Sequence, residues 1–352
     1  MDVRELRRRR LCAHRLSEPA PGPVAAAAHM TATQAQEFWA GRWAIAVRSA
    51  GAPSLLGVDG AFERGELVRT WTMRGTLHIV RPQDVGWMLS VTGERQVRQA
   101  ASVHRSLALG PDDLVRAERA LRLALAGGGR LTRGEAAEVL RRAGVDPVGM
   151  RGNHVLSALC MRGVLTLGPV VPREGGPSRE QYVVLLEEHA HGAVSPADPL
   201  AELAVRYFAG HGPATVADLR WWAGLPIGRA REAVVAAGPR IVEVEEGLYD
   251  VPRRADAAGP GPEVIALPPW DEYYLAYADR LGAADPDRLK SIGPTLNGLV
   301  RPVLIKEGRV IGTWRHSAAV GAGPPSAEPF EAASDPAPVR AALAAFRAFW
   351  ES

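Results

Sequence analysis

Cysteine and lysine are almost missing from this chain of 352 residues. Cys12 and Cys160 are the only cysteines, which excludes a disulfide framework and a thiolate zinc cluster and fits a reducing, cytoplasmic setting. No run of 18 apolar residues is present to span a membrane. The arginines at positions 7 to 10 are followed by no apolar core, so the start does not read as a signal peptide. A phosphate-cradling glycine loop and a Gly-x-Ser-x-Gly nucleophile elbow are also missing. His189-Ala190-His191 is the single histidine pair with ligand spacing; with no cysteine near it, it reads as a solvated loop. No metal and no organic cofactor is expected. Lys290 and Lys306 are the only lysines, so 40 of the 42 basic residues are arginine. A coding sequence rich in G and C produces that bias by itself, yet the forked guanidinium also suits phosphate and groove contacts. The net charge is only +3, so any nucleic-acid surface must come from local clustering.

What is present is a folded-protein composition, 47% hydrophobic and 23% charged, punctuated by 28 prolines and 37 glycines. The length favours several modules over one core. An internal repeat organises the middle: Ala126 to Glu135 aligns with Ala209 to Asp218. In each copy a helix is expected to end in glycine as a left-handed C-cap. A threonine, Thr132 or Thr215, then caps the next helix with an acid at the third helical position, as in a capping box. Asp218, being shorter than Glu135, reads as the weaker partner. After the first copy the pattern predicts a helix from Thr132 to Ala143, a second from about Val148 to Arg162, and strands at Val164 to Leu167 and Gln181 to Leu185. After the second it predicts a helix from Thr215 to Ala223, another opening at Pro226, and a hairpin of Ile241 to Val244 with Leu248 to Val251. Helices followed by a β-ribbon, twice, is the winged-helix plan, in which the third helix can enter a major groove.

The first hundred residues read as a divergent third unit: a helix over Val3 to Leu16, a break at Pro19 to Pro23, a helix over Gln36 to Arg48, and a hairpin over Leu67 to Val80 turning at Arg74-Gly75. Near the end come a strand at Glu263 to Leu267, an aromatic and acidic segment at Trp270 to Arg280, and a hairpin over Arg301 to Arg315 turning at Glu307-Gly308. A loop over Val320 to Ser334 and a helix from Pro338 to about Trp350 follow. The expected fold is α+β, with three tandem winged-helix units and a C-terminal strand and helix segment completing it. The expected domains are 1–100, 101–192, 193–255 and 256–352. Trp71, Trp221, Trp222 and Trp314, with apolar neighbours, are expected in the core. Asp271 and Glu272 are adjacent, so on a helix they diverge by about 100° and make a poor acid–base pair; Asp271 reads better as a helix cap or a partner of Arg280.

Gln34-Ala35-Gln36 is the odd feature. Two amides at i and i+2 face one side only where the backbone is extended. From spacing alone the favoured reading is different: Thr33 caps a helix, Gln36 is its capping-box partner, and both glutamines are polar first-turn residues.

With Leu67-Val68-Arg69-Thr70-Trp71-Thr72-Met73-Arg74-Gly75-Thr76-Leu77-His78 some thirty residues downstream, that tripeptide resembles the winged-helix DNA glycosylases, AlkZ-like and YcaQ-like. So do His211-Gly212-Pro213-Ala214-Thr215, Trp221-Trp222-Ala223-Gly224-Leu225, Leu267-Pro268-Pro269-Trp270-Asp271-Glu272-Tyr273, Asp279-Arg280 and Val310-Ile311-Gly312-Thr313-Trp314-Arg315. The resemblance runs in order over nearly the whole chain. It implies excision of bulky N7-alkylated guanines and, as in some members, unhooking of interstrand crosslinks. Glutamine at the third motif position matches the AlkZ-like branch, and the resemblance implies Gln34 and Gln36 as catalytic residues.

The chemistry is coherent from first principles. An amide does not titrate near neutral pH, so neither glutamine is a strong general acid or base. An N7-alkylguanine needs little help to leave, because it carries a positive charge and departs neutral. What remains is to hold a water beneath C1′ and stabilise an oxocarbenium-like sugar with aligned amide dipoles. Candidate DNA contacts are Arg69, Arg74 and His78 on the first hairpin and Arg301, Arg315 and His316 around the second, read as exposed groups on β-ribbons. The expected partner is duplex DNA carrying alkylated purines, met by a monomer. Two rivals stand beside this reading: a winged-helix regulator without catalysis, of the kind that is usually a short dimer, and a resistance protein that sequesters an alkylating natural product or senses its lesion.

Overall fold

The structure is a computed structural model that describes residues 1–193, 195–252, 261–317, 319, 323–331 and 335–352. It is a mixed α+β fold whose sheets are antiparallel. Two compact units divide the chain: one comprises Met1–Val58, Gly175–Pro177 and Leu200–Ser352, the other Asp59–Glu174 and Ser178–Pro199. The sequence boundary at 255/256 lies outside the described residues, as do 320–322 and 332–334 of the loop expected over Val320 to Ser334; the described part of that loop is instead partly a strand, Ser326–Pro329, paired antiparallel to Arg309–Arg315.

In the unit centred on residues 59–174, the strands Leu77–Val80, Val68–Trp71, Leu165–Val170 and Gln181–Leu185 lie side by side in that order. The expected hairpin at 67–80 is present, with Val68 opposite Val80 and Trp71 opposite Leu77. Its turn, Met73–Gly75, is a single 3₁₀ turn with Arg74 at φ 55° and Gly75 at φ 67°. The helices Pro111–Leu125, Arg133–Arg142 and Arg151–Met161 pack Leu114, Leu121, Leu125, Leu140, Val155 and Leu159 into one apolar core with Leu165, Val183 and Leu185. Thr132 caps the second of these helices and exchanges hydrogen bonds with Glu135, as the repeat predicts. Helix Pro82–Ser106, of 25 residues, went unread in the sequence. Its buried face mixes Val85, Met88 and Leu89 with Asp84, Thr92, Gln96 and His104, although proline at its first turn marks the start.

In the other unit, the strands Ser326–Pro329, Arg309–Arg315, Val303–Lys306 and Val264–Leu267 form a sheet in that order. Helix Ala337–Trp350 packs on Val264–Leu267. The second repeat copy gives helices Pro199–His211, Val216–Ala223 and Ile227–Ala237, then strands Val242–Glu245 and Leu248–Asp250. The glycine C-cap expected in both copies occurs only in the first, where Gly127 and Gly128 take φ 80° and 84°. In the second, the helix continues through Gly210 to His211, and Gly212 enters a cis bond to Pro213. Position 212 has no room for a side chain: a Cβ on Gly212 would meet Phe208 O and the Asp250 carboxylate. Helix Pro23–Met30 was not anticipated either; four successive alanines gave no apolar periodicity to read.

Candidate functional site

The motif glutamines lie in the unit that holds the C-terminal sheet. Thr33–Gln34 is a short strand, and the following helix begins only at Phe38, with Glu37 at its N-cap position and no side-chain cap. This overturns the capping-box reading of Thr33 and Gln36, and with it the helix start at Gln36. Gln34 is 6% exposed, whereas Gln36 sits in a bend on the surface. The backbone ahead of them is strained: Thr31, fully buried and β-branched, takes φ 66°, a conformation such residues avoid and that surrounding structure must impose.

Gln34 itself is met by the segment Trp270–Ala278, whose Glu272 takes its main-chain N–H. Trp270 is a second left-handed residue, at φ 57°, and its indole donates to Gly298 O at 2.8 Å. Asp271 caps helix Glu272–Leu275 by accepting from Tyr273 N. It also forms a bidentate pair with Arg48, at 2.7 and 2.9 Å, with both side chains buried. The cap expectation for Asp271 therefore holds, but its cation is Arg48. Arg280 instead lies over the rings of Trp221 and Tyr274, where burial lowers its pKa. Glu272 is 1% exposed. Its Oε1 accepts the Gln34 main-chain N–H at 2.9 Å, and its Oε2 accepts the Trp222 indole N–H at 2.9 Å. His211 Nε2 lies 3.5 Å from the same Oε2.

Behind this carboxylate stands a wall of buried rings. Tyr277 Oη donates to His211 O at 2.7 Å and meets His14 Nε2 at 2.8 Å. Because that phenol proton is committed to a carbonyl, His14 Nε2–H must be the donor, which leaves His14 Nδ1 bare and without a partner. Burial, then the neighbouring His211, Arg48, Arg10 and His29, hold the His14 pKa well below its ordinary 6.5. Burial likewise pushes the Tyr277 and Tyr273 phenols well above their usual range. The region is built to keep neutral groups neutral.

The sequence-derived DNA contacts are placed unevenly. Arg69 is 6% exposed and His78 is fully buried, so the exposed-ribbon reading fails for both. They lie on strands flanked on both sides by other strands or by core, and His78 Nδ1 is 3.0 Å from Thr72 Oγ1 and from Thr76 O. Arg74 is half-buried at the hairpin turn. Arg301 and Arg315 both pair with Glu328 on the neighbouring strand; Arg315 remains 71% exposed along its side chain. His316 packs edge-on against Trp39, Phe346 and Trp350. Trp71, Trp222 and Trp314 are in the core as expected, and Trp221 is half-buried with its indole donating to Leu275 O. Among the described residues, no group of three or more His, Cys, Asp or Glu is arranged to hold a metal ion, and no helix is long and apolar enough to cross a membrane.

Sequence reasoning missed Glu272 as the holder of Gln34. The two are 238 positions apart, and nothing local in either segment signals the other.

Residues 27–349 match the family model described as DNA glycosylase AlkZ-like. A curated relative, the interstrand DNA cross-link repair glycosylase of Streptomyces sahachiroi, is 26% identical over 314 residues, covering 84% of this chain and 83% of the relative. Among solved structures, the Streptomyces sahachiroi DNA glycosylase AlkZ superposes with a TM-score of 0.78 at 22% identity, covering 100% of this chain and 97% of that one. That likeness fixes the fold.

Proposed function

The chain belongs to the AlkZ-like DNA glycosylase family, and on that premise we propose that it hydrolyses the N-glycosidic bond of N7-alkylated purines in duplex DNA to leave an abasic site. Gln34 and Gln36 hold the attacking water and stabilise the positive charge that develops on the sugar. The observation that carries this reading is the extended backbone at Thr33–Gln34, with Gln36 on the surface immediately after it. It removes the helical geometry under which the two amides would diverge.

The selectivity follows from the leaving group. The amides supply dipoles and hydrogen bonds but no proton, so only a base already carrying positive charge departs at a useful rate. An unmodified purine would leave as an anion and is spared. The reading invokes no metal or organic cofactor, because a cationic base leaves without Lewis-acid help and nothing is oxidised or reduced. A relative is named for interstrand crosslink repair, and we extend that substrate class to this chain, because a crosslink through N7 places the same charged base at the glycosidic bond. The rest of the molecule is read as DNA grip built on three winged-helix units, in the segments 1–100, 101–192 and 193–255 with 256–352 completing the fold. It works as a monomer in the cytoplasm, with Arg315 the best exposed of the candidate contacts.

The test is release of 7-methylguanine from a duplex carrying one N7-methylguanine, under single-turnover conditions. Gln36→Ala and Gln34→Ala are each expected to lower the rate by about 10²-fold, the loss seen when one preorganised charge-stabilising group is removed. Near-normal release by Gln36→Ala sinks the assignment.

A further inference from the structure

Glu272 is an expensive residue to bury. A carboxylate removed from water is tolerated only where its lone pairs are taken by donors or a cation. The two donors here come from different parts of the chain, the Gln34 main-chain N–H to Oε1 and the Trp222 indole N–H to Oε2, and His211 Nε2 lies beside Oε2. The histidine's tautomer can be read from its other nitrogen. His211 Nδ1 lies 3.0 Å from Tyr207 O; a carbonyl only accepts, so Nδ1 carries the hydrogen. Nε2 therefore presents either a lone pair or a second hydrogen to Glu272 Oε2 at 3.5 Å. At that distance it is a close neighbour of the carboxylate and not one of its hydrogen-bond donors.

The geometry points to Glu272 as the positioning residue for Gln34. It fixes the strand on which the catalytic amide stands, while Trp222 fixes Glu272. This rests on the reading of Gln34 as a catalytic residue. Three features converge on it. The accepted N–H is that of Gln34 itself, so the position of its Cα is set by the carboxylate. Thr31 and Trp270, at φ 66° and 57°, flank the two ends of this contact within three residues, as expected where a long-range bond holds backbone in a conformation it would not choose. Lastly, an apolar residue would fill the Glu272 site at lower desolvation cost, but it would leave two buried N–H groups without acceptors. Glu272 is thus part of how the site is built and touches no reacting atom.

The experiment is a double-mutant cycle on the full-length protein with the same N7-methylguanine duplex, scored by single-turnover rate, DNA Kd and melting midpoint. In Glu272→Gln the amide keeps one acceptor for Gln34 but turns an NH2 toward the Trp222 indole N–H. The single-turnover rate is expected to fall about tenfold, the scale of one mispaired buried donor, with Kd unchanged. In a Gln34→Ala background the same change is expected to add less than about a further twofold, because the side chain it positions is gone. Wild-type excision by Glu272→Gln overturns the proposal, as does a loss that multiplies with that of Gln34→Ala, or one that falls on Kd alone. If Glu272→Gln does not fold, Trp222→Phe takes its place. It removes the donor to Oε2, leaves the carboxylate, and is held to the same non-additivity. The two readings fail separately. An inactive Gln34→Ala beside a fully active Glu272→Gln sinks only the positioning role, whereas a fully active Gln34→Ala sinks the catalytic glutamine and the positioning role with it.

Discussion

The two repeat copies start their helices with the same device and use it for different ends. At Thr132 the capping box is a surface feature: Glu135 accepts only from Thr132, and both residues face solvent. The helix it starts contributes Ala136 and Leu140 to an apolar core. At Thr215 the acid is Asp218, 3% exposed. It accepts from Thr215 N and Oγ1 and also from Ala278 N at 2.8 Å. From the same helix, Trp221 donates to Leu275 O and Trp222 to Glu272. One copy is a scaffold helix with a well-made start. The other clamps the segment 272–278, whose first residue holds Gln34. The shorter acid that looked like a weaker cap is in fact buried and accepts from a third donor as well. The repeat conveys the helix starts of both copies and the function of neither; function enters where one copy's polar side chains turn inside.

That contrast can be broken. The largest effect is expected at the buried pair anchoring the clamped segment. Asp271→Asn leaves the Arg48 guanidinium without its counter-charge in a site where both side chains are buried, at a cost of about 3–5 kcal/mol, read from urea unfolding. A loss under about 1 kcal/mol would mean that water reaches Arg48 and the segment is not held as described. Next comes Asp218→Ala, which strips acceptors from two main-chain N–H groups and a hydroxyl and should cost about 3 kcal/mol. It should also slow base excision, since the helix it caps carries Trp222.

Acidification sharpens the same contrast at His14. The folded His14 pKa lies well below 6.5 because protonation would place an unpartnered Nδ1–H among buried rings. The unfolded chain therefore takes the proton first. His14's contribution is complete above about pH 6.5 and is lost as pH falls below it, at about 1.4 kcal/mol per pH unit. His14→Gln, whose amide can still donate to Tyr277, should flatten that slope between pH 6.5 and 5. An unchanged slope would place the acid sensitivity elsewhere.

Much of the fold was legible from local chemistry. Threonine followed by an acid three residues on, Gly247 and Gly308 at the tips of the hairpins, and proline in first helical turns each report on their own neighbourhood. So the hairpins at 67–80, 241–251 and 301–315 and the helix at 337–350 were found. The alanine-rich helix at 23–30 escaped because it shows no apolar periodicity, and the long helix at 82–106 because its buried face is interrupted by Asp84, Thr92, Gln96 and His104. The site was legible only in part. The motif Gln34-Ala35-Gln36 was conspicuous by resemblance, but its backbone was misread as a helix start, because its partners, Glu272 among them, are far away in the chain. Arg69 and His78 were misplaced for a related reason: alternation along a strand tells inside from outside only when one face is solvated, and theirs are not.

The smallest expected effect is the sharpest control on the comparison. Glu135→Ala removes the same kind of cap acid as Asp218→Ala, from the same place in the same repeat. Its two partners, Thr132 N and Oγ1, are exposed, so water replaces the carboxylate and no donor is orphaned. Those two bonds lower the Glu135 pKa, so the stability it adds is present above its ordinary pKa of 4.5 and fades as pH falls below it. The melting midpoint of Glu135→Ala at pH 7 should move barely beyond the scatter of replicate scans, and excision should be unchanged. A shift as large as that of Asp218→Ala would mean that the cap itself carries the energy in both copies. The inward turn of Asp218 would then be incidental, and the clamp on residues 272–278 would have to be sought in Trp221 and Trp222 alone.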